Sequence, residues 1–207
     1  MNRSYEWMKC TPGLSISPRD ESNAGKSLKL TSATNSTTRK VRHSGKNTAG
    51  RKVRVARPKM GIDITWVTER IGVGGGIWTA ENMAAVARAG VTHIIDMQIE
   101  FDDTPLAGEH GIAVCWNPVD DDFEPKPAAV FARGVEFGLA ALDDEDTKLL
   151  VHCAAGVHRA PMMTLALLGV MGWSVEDAMQ LVEARRPVAD FAEVYVRSVE
   201  DFLQGRI

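Results

Sequence analysis

One stretch limits the fold more than any other: KLLVHCAAGVHRAP, Lys148–Pro161. The run Leu149-Leu150-Val151 reads as a short buried strand. Pro161 comes soon after, and proline suits the first turn of a helix, where its missing N–H would have no partner anyway. The segment is therefore a strand, a short loop and a helix in immediate succession, a unit that belongs to a sheet layer covered by helices. The amides of Ala154, Ala155, Gly156, Val157, His158 and Arg159 can face inward around one point, and Gly156 allows the tight path. The positive end of the helix dipole falls on the same point. Such a nest of N–H groups suits an anion, phosphate above all.

The sequence around this unit repeats its logic. Arg70–Gly76, RIGVGGG, reads as a short strand ending in a glycine-rich turn; Ile77 stands where a dinucleotide-binding GxGxxG would need its third glycine. Thr79 caps a helix over AENMAAVARAG that Gly90 ends. Thr92–Met97 and Ile112–Val119 are apolar strands. A helix is expected from Pro127 to Leu142, with Ala, Val and Phe on one face. Three more follow, over Ala160–Met171, Ser174–Arg186 and Asp190–Leu203, the second opened by the capping-box pattern of Ser174 and Asp177. Strands alternating with helices predict an α/β fold, a central and mostly parallel sheet flanked by helices. There are no internal repeats.

Charge divides the chain. Met1–Lys59 carries 14 Lys/Arg against 3 Asp/Glu, and Met60–Ile207 carries 10 against 24, which the net charge of −3 conceals. The basic part is rich in Ser, Thr, Asn and Gly and poor in large apolar residues, so it cannot bury enough surface to offset the entropy of ordering it. The expected organisation is a disordered basic tail over residues 1–59 and one domain over residues 60–207. The tail is a candidate arm for a polyanion. Its composition also fits a transit peptide, and Met60 fits a chain start. Gly25-Lys26-Ser27 does not close a phosphate-binding GxxxxGK[ST] loop, because Asp20 stands where the first glycine belongs. No run approaches the roughly 18 apolar residues that span a bilayer, and no apolar segment follows the N-terminus as in a secretory signal. Cys10, Cys115 and Cys153 are far apart and form no CxxC pair, which points to a reducing, intracellular and cytoplasmic setting. His93 and His110 have no ligand spacing, so no metal and no cofactor are expected.

The loop at Lys148–Pro161 also carries chemistry. A thiol at a helix N-terminus beside a guanidinium loses its proton easily. Cys153 is therefore a candidate nucleophile. Arg159 offers a planar fork that binds two phosphate oxygens at once. These two groups explain each other if Cys153 attacks phosphorus while Arg159 and the loop amides hold the oxygens.

The residues His152-Cys153-Ala154-Ala155-Gly156-Val157-His158-Arg159 resemble the CX5R loop of the cysteine-dependent protein phosphatases. The resemblance covers nearly all of Met60–Ile207 and is closest to the compact dual-specificity group; WNPVDDD and GVHRAP look most like the regenerating-liver phosphatases. It implies a metal-independent phosphatase that hydrolyses phosphotyrosine, with phosphoserine and phosphothreonine as further substrates, through a phosphocysteine. It implies a general acid on an upstream acidic loop, and Pro118-Val119-Asp120-Asp121 fits that pattern with Asp121 as the acid. Asp120 and Asp122 are the alternatives if the register shifts by one. His152 would orient the loop. The chain departs from the family in having Ala160 where Ser or Thr usually follows the Arg, as the regenerating-liver group also does, and in having His158 in the loop. The rival classes are a phosphate-binding pseudophosphatase, favoured by Ala160, and a redox sensor in which Cys153 pairs with Cys115. The acidic run Asp120–Glu124 should repel phosphoinositides and RNA 5′ ends, so a phosphorylated protein is the expected partner. Trp66, Trp78, Trp116 and Trp173 are expected in packing, at the core or its rim.

Overall fold

The computed structural model describes residues 61–206. The basic tail expected to be disordered lies outside them, with the Gly25-Lys26-Ser27 stretch. Five strands form the sheet: β1 (Ile64–Trp66), β2 (Ile71–Gly74), β3 (His93–Asp96), β4 (Ala113–Trp116) and β5 (Leu149–His152). Their order is β1-β2-β5-β3-β4. β1 runs antiparallel to β2, and every other pairing is parallel. Among the described residues the helices are α1 (Ala80–Arg88), α2 (Thr104–Gly108), α3 (Ala128–Leu142), α4 (Arg159–Val170), α5 (Val175–Arg185) and α6 (Glu193–Gln204). The mostly parallel sheet flanked by helices is the predicted one.

The pleat explains the two layers. Successive side chains of a strand point to opposite faces. Ile95, Leu149 and Val151 turn to one face and pack in a cluster with Phe131 and Val135 of α3, Met163 and Leu167 of α4, and Val199 and Phe202 of α6. Ile94 and Leu150 turn to the other, against Met83 and Val86 of α1 and Ala107 of α2. α4 is buried from Arg159 to Leu168, as expected of a helix with little polar face.

Sheet register creates the site. Gly74 and Asp96 both lie level with His152, one on each side of β5. The chain therefore leaves β2, β3 and β5 at one height and on one edge. A crevice beyond the carboxyl ends of parallel strands is where α/β sheets receive ligands.

Some boundaries moved. β1 and α2 were not predicted: β1 is three half-buried residues and α2 five residues, both shorter than the windows in which periodicity is visible. β4 stops at Trp116, short of the expected Val119, although the Asn117 and Val119 amides still donate to the Asp96 and Met97 carbonyls at 2.8 and 3.4 Å. The caps match their sequence signals. Thr79 Oγ1 accepts from the Asn82 amide at 3.2 Å, and Ser174 Oγ accepts from the Asp177 amide at 3.0 Å. Trp78, Trp116 and Trp173 sit at the rim, partly exposed. Among the described residues no helix is long and apolar enough to cross a membrane.

Candidate active site

The loop from β5 to α4 is shaped by what its carbonyls do. The Ala154 carbonyl accepts from the Gly76 amide at 2.9 Å, and the Val157 carbonyl from the Asp190 amide at 2.8 Å. Arg186 donates from Nε to the Gly156 carbonyl at 2.7 Å and from Nη2 to the Ala155 carbonyl at 3.4 Å. Four successive carbonyls thus face outward into the fold. In a trans peptide the amide of the next residue points the opposite way, so the amides of Ala155, Gly156, Val157 and His158 face inward. The Gly156 amide donates to Cys153 Sγ at 3.2 Å. Gly156 has φ of +64°, and a Cβ there would collide with Arg186 Nη2 and the Gly74 carbonyl. Only glycine suits that position.

Arg159 opens α4 and is 3% exposed. Its hydrogens can be counted. Nη1 donates to Glu100 Oε2 at 2.9 Å and to the Val119 carbonyl at 3.1 Å, and Nη2 donates to Glu100 Oε1 at 2.8 Å. A guanidinium has five N–H donors, so Nε–H and one Nη2–H remain. Nε has no hydrogen-bond partner among the described residues. Those two donors share one edge of the plane, the edge suited to two oxygens of a phosphate. Burial alone would lower the Arg159 pKa, but its hydrogen bonds to Glu100 and the charges of Cys153, Glu100 and Asp121 outweigh that and hold it above its ordinary value. Glu100 is correspondingly held below the usual carboxylate range by Arg159. Nothing in its sequence context distinguishes Glu100, which the topology brings in from the end of β3.

The acidic loop after β4 separates its three aspartates. Asp120 Oδ1 accepts from the Asp121 amide at 2.8 Å. Asp122 pairs with Lys126. Asp121 faces the loop: its Oδ2 lies 3.8 Å from Arg159 Nε and 3.0 Å from His158 Nδ1. Tyr195 of α6 donates its hydroxyl to Asp121 Oδ1 at 3.0 Å. Burial and the neighbouring Asp121 push the Tyr195 phenol up to about 12, so it stays a donor. The structure thus gathers Cys153, Arg159 and Asp121 around one point.

Two supporting groups rest on residues that the sequence reading missed, Arg186 with Asp63 in one and the partners of His152 in the other. Arg186, 3% exposed, grips the loop and also donates to Asp63 Oδ2 at 2.6 Å and Oδ1 at 2.8 Å. Its hydrogen bonds hold the Asp63 carboxyl below the ordinary range, against burial. Arg186→Ala should lower unfolding free energy by about 3 kcal/mol, because buried carbonyls lose their donors, and a urea titration reads this directly. The second group lies beneath Cys153. His152 Nε2 sits 3.1 Å from Asp103 Oδ2 and 3.6 Å from Asp96 Oδ1, and all three residues are buried. Burial pushes Asp96 up to about 6, despite the pull of His152. The three lie close enough to hold a metal ion by their spacing, and neither ring nitrogen of His152 has a hydrogen-bond partner among the described residues.

The redox rival meets a geometric obstacle. Cys115 pairs with Ile95, which pairs with Val151 on the far side of β3. Cys115 is therefore two strand spacings, about 9.6 Å, from the level of Val151 on β5. Cα atoms more than about 7 Å apart cannot be bridged without backbone movement. Cys115 is a buried free cysteine whose pKa burial raises.

The chain matches the family described as dual specificity phosphatase, catalytic domain, over residues 77–203. It is 33% identical over 103 residues to protein tyrosine phosphatase type IVA 3 of Bos taurus, which spans 47% of this chain and 56% of that one. It is 31% identical over 76 residues to the protein-tyrosine-phosphatase IBR5 of Arabidopsis thaliana, 36% of this chain and 29% of that one. The alignments thus take in about half or less of these relatives' lengths. Among solved structures, human DUSP28 superposes with a TM-score of 0.60 at 24% identity, covering 69% of this chain and 96% of that one. PTPMT1 in complex with PI(5)P gives 0.60 at 19% identity, covering 67% and 93%; at such identities these two speak for the fold. With the family match spanning more than half of the sequence, the chain belongs to the dual specificity phosphatases.

Proposed function

We propose that this chain is a phosphoprotein phosphatase that hydrolyses phosphotyrosine, and also phosphoserine and phosphothreonine, through a phosphocysteine on Cys153. The observation that carries the reading is the Gly156 amide donated to Cys153 Sγ at 3.2 Å, in a loop whose carbonyls face outward, with Arg159 near enough to feel the Cys153 charge and its Nε–H unpaired among the described residues. Sγ attacks phosphorus as the ester P–O bond breaks, and Asp121 protonates the departing oxygen. Asp121 then takes a proton from water, whose oxygen attacks phosphorus and releases Cys153 and inorganic phosphate. The amides of residues 154–159 and the Arg159 edge hold the phosphoryl oxygens in both steps, which supplies the positive charge without a metal. The thiolate requires a reducing compartment such as the cytoplasm. Residues 60–207 form the catalytic domain in this reading, with residues 1–59 as its basic tail. The loop residues 154–160 and the acidic stretch support the regenerating-liver type, as does the likeness to the type IVA enzyme. The acidic run Asp120–Glu124 favours a phosphoprotein over a polyanionic headgroup.

The test is phosphate release from an aryl phosphate by the full chain, followed by alkylation with iodoacetate. Turnover is expected, with loss of activity that tracks modification of Cys153 by mass and is slowed by inorganic phosphate. Full activity in protein completely alkylated at Cys153 would sink the reading. Ala160, buried where a hydroxyl would help the thiolate leave, favours one second reading, a pseudophosphatase; phosphate binding without turnover would be its mark.

A further inference from the structure

His158 stands in the phosphate loop with its backbone, yet its side chain does something else. Nδ1 is 3.0 Å from Asp121 Oδ2, and Nε2 is 3.3 Å from Asp190 Oδ2. Both ring nitrogens thus face carboxylates. A neutral imidazole has one N–H and one lone pair, so it can donate to one carboxylate only. Both contacts are favourable when the ring is an imidazolium, or when one carboxyl carries the shared proton. The Asp190 backbone is tied to the same loop, its amide bonded to the Val157 carbonyl at 2.8 Å. The ring is also held by packing: the Phe123 ring meets it edge-on at 5.0 Å and stacks on Tyr195 at 5.7 Å. The Phe123 amide in turn donates to the Tyr195 hydroxyl at 2.9 Å. The charged groups facing this cluster are Asp121 from the acidic loop, Asp190 from the connection between α5 and α6, and Arg159 at the start of α4.

We propose that His158, anchored by Asp190, is a positioning residue that holds the Asp121 carboxyl over the phosphate loop, where the leaving oxygen needs its proton. This inference rests on the phosphatase reading. Asp121 lies on an irregular segment with no helix or strand to fix it. A general acid works only within hydrogen-bond reach of the atom it protonates, and a misplacement of about 1 Å can cost a hundredfold. His158 and Tyr195 together grip both carboxyl oxygens, from two different elements, and so supply the missing rigidity.

The experiment compares phosphotyrosine peptide, whose phenol leaves badly without a proton, with 4-nitrophenyl phosphate, whose leaving group needs little help. The variants are His158→Ala, Asp190→Asn, Asp121→Asn and the double variant His158→Ala/Asp121→Asn. His158→Ala should lower kcat on the peptide about tenfold more than on the nitrophenyl ester, and Asp121→Asn about a hundredfold more. Asp190→Asn should act in the same direction as His158→Ala. The double variant should show no greater disparity than Asp121→Asn alone, the mark of two residues acting through one contact. Equal losses on both substrates, or losses that multiply in the double variant, would overturn the proposal. Hydrogen exchange at the Phe123 amide, which donates to the Tyr195 hydroxyl beside Asp121, reads the order of the acidic loop without turnover, and His158→Ala should speed it. If the wild-type chain turns over neither substrate, the phosphatase reading fails, and the exchange rate alone then decides for or against the His158 contact.

Discussion

Cys153→Ser is expected to lower kcat for an aryl phosphate by about four orders of magnitude or more, the scale on which removal of a catalytic nucleophile acts. The change is small in volume and keeps a polar atom at the point where the loop amides converge. None of the groups proposed to bind phosphate is removed: the carbonyls of Ala154, Gly156 and Val157 still bond outward, and Arg159 still holds its edge open beside Glu100. What is lost is the proposed nucleophile. Sulfur is intrinsically a far stronger nucleophile than an alcohol oxygen, whose proton stays on near neutral pH. The variant should therefore bind inorganic phosphate about as the wild type does, measured by calorimetry, while releasing none from substrate. Turnover within tenfold of wild type would mean that another group attacks phosphorus. Lost binding together with lost turnover would mean that the sulfur organises the loop through its contact with the Gly156 amide.

The parts of this site that are local in sequence could be read from sequence. Cys153, the loop amides and Arg159 are contiguous, and their meaning comes from a strand before and a helix after, both marked by apolar runs and by Pro161. The parts that are remote could not. Glu100, Asp63, Arg186, Asp190 and Tyr195 reach the loop because β2, β3 and β5 end level with one another and because α5 and α6 fold back over α4. No spacing rule encodes such a meeting. Asp121 shows the boundary between the two cases. Three consecutive aspartates have the same composition and the same neighbours, and what separates them is direction: Asp122 is taken by Lys126, Asp120 caps the backbone of its own turn, and Asp121 alone meets His158, Tyr195 and Arg159. The fold was legible where elements were long. It was not legible at β1 and α2, which owe their existence to neighbours and not to their own periodicity.

Arg159→Lys, which keeps the charge, is expected to cost about 10³-fold in kcat/KM, the scale for losing preorganised donors at an oxyanion site. The reason lies in how the five guanidinium hydrogens are divided. Glu100 and the Val119 carbonyl take three, which fixes the plane and leaves two parallel donors for the phosphoryl group. An ammonium has three donors on a flexible stem and no fixed edge. If it serves Glu100 and Val119 it has one donor left; if it turns to phosphate it abandons Glu100. Either choice loses the bidentate contact that tightens as charge moves onto the equatorial oxygens. The loss should fall on kcat as well as KM, because the contact is worth most in the transition state. A lysine variant that loses less than about tenfold would mean that net positive charge is enough, and that Glu100 holds Arg159 for stability alone.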